Sequence, residues 1–201
     1  MVVIAHPRPD GFSRALAAEA ITVLRDADWH VDVHDPYTDG FDPVLRADET
    51  ATLGAAAEAV AGADDDPVVT RYRRELAVAD ALVVAHPNWW GKPPAMMAGW
   101  IDRVLVPGVV YRFDAQSGAP VSLTPIRSLL VLNTSDTTPE REAEVFGDPL
   151  DRIWRACVGE YLGRPVYSRL VCHRTSHADA SQRFAWIEQV RTMIEELTSA
   201  T

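Results

Sequence analysis

Three stretches of the chain combine residue types that suit a flat, charged small molecule. The first is "HPRPDGFS" (His6 to Ser13), which follows an apolar run and opens a helical pattern. A helix N-terminus offers N–H groups without intrahelical partners and a partial positive charge, which favours phosphate. Gly11 would let the backbone approach an anion, the Ser13 hydroxyl could donate to it, and His6 could add a donor. Asp10 and Phe12 complete the loop. The same residues also fit a plainer reading, in which Ser13 only caps the helix and His6 ends a strand. The loop matches neither GxGxxG nor GxxxxGK(S/T), so the dinucleotide and P-loop fingerprints are absent.

The second stretch is "HPNWWGKPP" (His86 to Pro94). A heteroaromatic ligand needs an aromatic wall and backbone groups along its ring edge. Trp89 and Trp90 supply such a wall, Gly91 permits close approach, and Pro93-Pro94 stiffen the exit into the next helix. Either tryptophan alone would read as core, but two in succession point to opposite sides, so at least one is expected near a ligand. The third stretch, "NTSDTTP" (Asn133 to Pro139), is dense in hydroxyls and turn formers. Its backbone could hold the polar edge of a ring, or it could be a plain polar connection. Between the last two lies "VPGVVYRF" (Val106 to Phe113), by default a β-turn followed by surface aromatics.

Five apolar, β-branched runs position these loops. Val2 to Ala5, His30 to His34, Ala81 to His86, Ser128 to Asn133 and Val166 to Cys172 read as strands, three of them apolar enough to be covered on both faces. Helical patterns separate them. One runs from a Ser13 cap to about Ala27 with Leu16, Ala20, Val23 and Leu24 on one face. Asp66-Pro67 and Asp148-Pro149 are cap-then-proline starts. The last helix, near Asp179 to Leu197, should bury Phe184, Ile187, Val190, Ile194 and Leu197. The alternation predicts an α/β, doubly wound five-stranded parallel sheet with helices on both faces, as one domain over residues 1–201. Asp35 to Asp66 is too long for an ordinary connection and is expected to be a structured insertion. In such sheets ligands bind beyond the carboxyl ends of the strands, where strand order reverses, which brings the three loops together.

Composition narrows the classes. The 201 residues carry a formal net charge of -10, which argues against nucleic acid. Lys92 is the only lysine. Cys157 and Cys172 are isolated, as in reduced cytosolic proteins, and no cluster suggests a metal. No apolar stretch approaches a membrane span and no signal peptide is evident, so a cytoplasmic protein is expected.

The motifs "AHPRPDGFSRALA" and "HPNWWGKPPAMMAGWIDRVLVPGVVYRF", with "FGDPLDRIW" and "LGRPV" later, carry a resemblance over nearly the full chain. The chain resembles the flavodoxin-like NAD(P)H:quinone oxidoreductases of the DT-diaphorase type, including the ancillary reductases of glutathione-gated potassium efflux systems. The resemblance implies a homodimeric flavoenzyme that reduces quinones or similar acceptors by two electrons, in ping-pong fashion, with NADH or NADPH as co-substrate. FMN is the expected flavin, because the chain lacks the C-terminal extension of longer members, and FAD remains an alternative. The flavin phosphate would sit on Gly11 to Ser13 beside His6. Pro87, Asn88, Trp89, Trp90 and Gly91 would hold the isoalloxazine, and Asn133, Thr134, Ser135 and Asp136 its pyrimidine end. Tyr111 and Phe113 would reach the partner's substrate pocket, with Trp90 and Tyr111 in the catalytic positions. Two departures stand out. Mammalian members have a Gly-Gly turn where this chain has Ser135-Asp136, and their charge-relay Tyr and His have no assigned counterpart. His173 and His177 fall near that region as surface loop residues. A regulatory subunit of a potassium efflux channel and an electron-transfer flavodoxin are the alternative functions.

Overall fold

The computed structural model describes residues 1–50 and 66–199. Its strands are β1 (Val2–Ile4), β2 (Val33–His34), β3 (Ala81–Pro87), β4 (Tyr111–Phe113), β5 (Pro120–Ser122), β6 (Ser128–Thr134) and β7 (Val166–Cys172). Five of them form one sheet in the order β2-β1-β3-β6-β7, every pair parallel. All five expected strands are present, and β7 has the expected bounds. The remaining two, β4 and β5, make a separate antiparallel ribbon that was not expected.

Alternation along each strand explains why the runs are continuously apolar. Successive side chains point to opposite faces, and here both faces are covered. Val3, Leu82, Val84, Leu129 and Val131 enter one core, while Val2, Ile4, Val83, Leu130 and Leu132 enter the other. The second core is closed by α1 (Phe12–Asp26) and by the last helix, Ala180–Ser199. The first is closed by α2 (Pro67–Ala77), α3 (Ala95–Val104) and a composite helix over residues 149–161. In that composite helix, Pro149–Asp151 and Gly159–Tyr161 are α-helical and Arg152–Val158 is π-helical. A short helix, α4 (Pro139–Glu144), precedes it; the composite helix is α5 and the last helix α6.

Helix starts test the cap readings. Asp66 accepts from the backbone N–H of Val68 and Val69, and Asp148 from that of Asp151, so both cap-then-proline starts hold. Ser13 does not cap α1. The cap position is Gly11, with no side-chain hydrogen bond, and Ser13 is fully buried inside the first turn. In α6, Trp186, Val190, Ile194 and Leu197 are buried, as their spacing demands. Phe184 is not; it lies two residues before Trp186, a rotation of roughly 200°, and is 65% exposed.

Part of the long excursion after β2 is described, and it is structured. Phe41 is buried, and Arg103 of α3 donates to Glu49 Oε1 at 2.9 Å and to the Asp42 carbonyl at 2.6 Å. Residues 51–65 of that excursion lie outside the described residues.

Candidate active site at the sheet switch point

Strand order reverses between β1 and β3, and the loops after β1, β3 and β6 meet there. They line a cleft of about 1440 Å³. One wall is the tryptophan turn. Trp89 N–H donates to the Lys92 carbonyl at 3.3 Å and Lys92 N–H returns to Trp89 at 3.2 Å. Trp90 and Gly91 are therefore the central pair of a two-residue hairpin turn, with φ of 61° and 69°. Positive φ at both positions is the type I′ geometry. Glycine adopts it freely; for tryptophan it costs about 1–2 kcal/mol. Trp90 is 96% exposed, so its ring makes little packing that could offset this cost. Gly91 cannot be replaced freely either, because a Cβ there would lie 2.7 Å from Pro149 Cγ. Trp89 is 41% exposed and its ring stands 6.0 Å from that of His6, tilted by 55°.

The opposite wall is the start of α1, which points at the cleft without a side-chain cap, so its first N–H groups are available to an anion. Gly11 is required for a reason the sequence does not reveal. The His6 ring occupies the place of a Cβ, with Nδ1 only 2.1 Å from it. His6, Asp10, Gly11 and Phe12 line the cleft, whereas Ser13 lies behind it with its hydroxyl 2.9 Å from Thr134 Oγ1.

The backbone groups expected to meet a ring edge are mostly committed. Asn88 N–H donates to the Thr134 carbonyl at 2.7 Å, and Gly91 N–H to Asn88 Oδ1 at 3.0 Å. Pro87 has no N–H. Within the turn only Trp90 N–H lacks a partner among the described residues. In the third loop, Ser135 N–H is taken by the Cys172 carbonyl at 2.9 Å, and Asp136 accepts from Ser176 N–H at 2.7 Å. Thr134, Ser135 and Asp136 line the cleft. Asn133 is buried beneath it and belongs to a polar network instead.

That network forms the floor. The π-helical stretch carries Trp154, whose indole N–H donates to His86 Nε2 at 2.9 Å. His86 Nδ1 lies 2.9 Å from the Pro87 carbonyl, so the two contacts together assign the ring proton to Nδ1. Arg169 donates to Asn133 Oδ1 at 2.9 Å and to both Asp148 oxygens at 2.8 and 2.7 Å.

Burial lowers the His86 pKa to about 4. On the other side of β1, burial lowers that of His34 to about 3; this ring stacks on Tyr72 and bonds Glu75 at 2.9 Å. Both rings are neutral in the folded chain, while the unfolded chain protonates them below about 6.5. The unfolded state then binds more protons, so the stability they supply is complete above pH 6.5 and falls as pH drops toward 4 and 3. Each histidine should cost about 1 kcal/mol per pH unit in that window. Urea midpoints measured from about pH 7 to about pH 5 should decline accordingly; a flat series would contradict these environments.

Several lining residues were not anticipated. Glu142 is buried and accepts from Asn88 Nδ2 at 2.9 Å. The Arg141 guanidinium lies 5.0 Å over the exposed Phe146 ring, and that of Arg183 5.2 Å over Phe12. Thr138-Pro139 repeats the cap-then-proline signal and could have announced α4. Tyr111 and Phe113 stand outside the cleft on the β4–β5 ribbon, half-buried, packed edge-on with one another and with Tyr161. No group of three metal-ligating side chains is gathered among the described residues, and none of their helices is long and apolar enough to cross a membrane.

A profile of the flavodoxin-like fold matches residues 1–193. The chain belongs to the flavodoxin-like family. It is 29% identical to NAD(P)H dehydrogenase (quinone) 1 of Cavia porcellus over 57% of this chain, but that match spans only 46% of the relative. The chain thus spans about half the length of that relative. Ribosyldihydronicotinamide dehydrogenase (quinone) of Rattus norvegicus is 25% identical over 98% of this chain and 92% of its own. Among solved structures, the NAD(P)H:quinone oxidoreductase of Methanothermobacter marburgensis superposes with TM-score 0.77 at 24% identity, covering 98% of this chain and 96% of that one. An FMN-dependent NADH-azoreductase of Bacillus anthracis, solved with FMN, gives 0.70 at 12% identity, over 98% and 97% of the two chains. At these identities the structural likeness speaks for the flavodoxin-like fold of the chain.

Proposed function

We propose that the chain is a flavin-dependent NAD(P)H:quinone oxidoreductase that passes two electrons to quinones or similar flat acceptors. The observation that carries this reading is the pairing, across one cleft, of an uncapped helix N-terminus with an outward-facing tryptophan turn. The first suits a phosphate and the second a planar ring. The names of the full-length relatives agree with it.

Bound there, a flavin would supply the two-electron chemistry itself. The chain's part is to bind and orient it. The N–H groups at the start of α1 would hold the phosphate, Trp89 would give an aromatic wall, and Trp90 N–H would be free to donate to the ring. Ser13 supports this arrangement from behind by tying the first loop to Thr134. Donor and acceptor then use one open face in turn, so double-reciprocal plots for NADH against menadione should be parallel. Intersecting plots would refute a shared face, and a one-electron carrier of the same fold would turn over sluggishly in the same assay. FMN is the proposed flavin; mass spectrometry of the released group distinguishes it from FAD.

The reading includes a homodimer in which Tyr111 and Phe113 cover the partner's cleft. It is supported by their position outside the cleft of their own chain. Tyr111→Ala should raise KM for menadione several-fold while flavin content stays unchanged. An unchanged KM would remove Tyr111 from the acceptor site.

A further inference from the structure

We propose that Glu142 is the positioning residue of the tryptophan turn, acting through Asn88, and this rests on the flavin-binding reading of the cleft. The need for such a residue follows from the turn itself. Trp90 holds a left-handed backbone conformation, φ 61°, while 96% exposed. A bulky residue keeps such a conformation only where its surroundings over-determine it, and the Trp90 ring has almost no surroundings. The restraint therefore comes from neighbours.

Three sets of contacts supply it. The Trp89 and Lys92 backbones close the turn, Pro149 lies against Gly91, and the Asn88 side chain spans it from within. Of these, Asn88 depends on a residue far away in sequence. Its Oδ1 accepts from Gly91 N–H at 3.0 Å, and its Nδ2 donates to Glu142 Oε1 at 2.9 Å. A carboxylate accepts only, so Glu142 fixes which end of the Asn88 amide is nitrogen, and hence which end is presented to Gly91. Without Glu142 the amide could rotate and offer Gly91 a second donor, releasing the turn.

Glu142 is itself well held. It is 3% exposed in the first turn of α4, whose start is fixed by the Thr138 cap, and its carbonyl accepts from Asp148 N–H at 3.0 Å. Asp148 also caps the helix that begins with Pro149, the residue packed on Gly91. One short segment thus reaches the turn twice, through Asn88 and through Pro149. Arg169 ties the same segment to β7 through Asp148. The Glu142 carboxylate makes its one side-chain hydrogen bond among the described residues to Asn88, so its role is directed at the turn.

The test compares Glu142→Ala with Glu142→Gln in the full chain. The glutamine keeps an acceptor for Asn88; the alanine does not. For Glu142→Ala, the exchange of the Gly91 amide should quicken and FMN affinity should fall, each by about tenfold, as for a lost hydrogen bond to a charged group. Glu142→Gln should recover most of both, at unchanged melting temperature. The proposal is overturned if Glu142→Ala folds and keeps wild-type Gly91 exchange, or if Glu142→Gln is as defective as the alanine variant. Exchange at Gly91 is read without flavin, so a wild-type protein that binds no FMN would refute the functional reading while leaving the Glu142–Asn88 relation testable. If Glu142→Ala fails to fold, Glu142→Met supplies the same test. Methionine fills the buried space but offers Asn88 Nδ2 no strong acceptor, so Gly91 exchange must quicken; unchanged exchange overturns the proposal.

Discussion

Arg169→Ala is expected to lower unfolding stability by about 3 kcal/mol, the lower end of the range for breaking a buried ion pair. The side chain of Arg169 is 6% exposed and that of Asp148 35%, so solvent partly screens the aspartate and the upper end does not apply. The loss has two parts. Asp148 loses both of its guanidinium contacts, and Asn133 loses the donor that orients its carbonyl oxygen. Arg169 Nη2 is buried without a hydrogen-bond partner among the described residues, a cost that alanine would relieve. Arg169→Met, which keeps volume and removes the charge, should be milder. Urea denaturation of the two variants tests this; a loss below about 1 kcal/mol for alanine would show that the floor network is not a stabilising unit.

Gly91→Val should abolish tight flavin binding while the sheet remains folded. Valine must adopt φ 69°, and its Cβ would sit 2.7 Å from Pro149 Cγ. The left-handed region costs a β-carbon about 1–2 kcal/mol before that clash is counted, and branching adds to it. The cheaper course is for the turn to open, which carries Trp89 and Trp90 away from the cleft. Flavin affinity should fall at least about tenfold, since that cost must be met each time the turn closes. The far-ultraviolet circular dichroism spectrum should be unchanged. Wild-type affinity in this variant would mean that the turn conformation has no part in binding.

The sheet was readable because its strands are buried on both faces. Seven successive residues of β3 are buried, and a short, β-branched apolar run bounded by turn formers is the mark of a strand covered on both sides. Ribbon β4–β5 was missed because three-residue strands alternate too briefly to leave a pattern. The three loops of the cleft were legible from type and from position relative to the switch point. What each residue does there was less so. Ser13 reads as a cap by composition, yet the cap position is Gly11, two residues earlier, and the hydroxyl turns inward to Thr134. Gly11 reads as room for an anion, but the space belongs to His6. Trp90 gives no sequence sign of its positive φ, since turns of this type are ordinarily announced by asparagine or aspartate before glycine. Glu142 sits in "PEREAE", where no apolar residue but one alanine marks an inward face; only the fold brings it to Asn88.

Whether this cleft holds a flavin is decided by titrating the purified protein with FMN and following tryptophan fluorescence and visible absorbance. Two tryptophans stand at the cleft, one 41% and the other 96% exposed, so a ring bound against them must quench their emission. The expected outcome is a yellow protein, or saturable quenching that ends at one flavin per chain, with bleaching of the flavin bands on anaerobic addition of NADH or NADPH. A colourless protein whose tryptophan emission is unmoved by both FMN and FAD would contradict the flavin reading of the cleft.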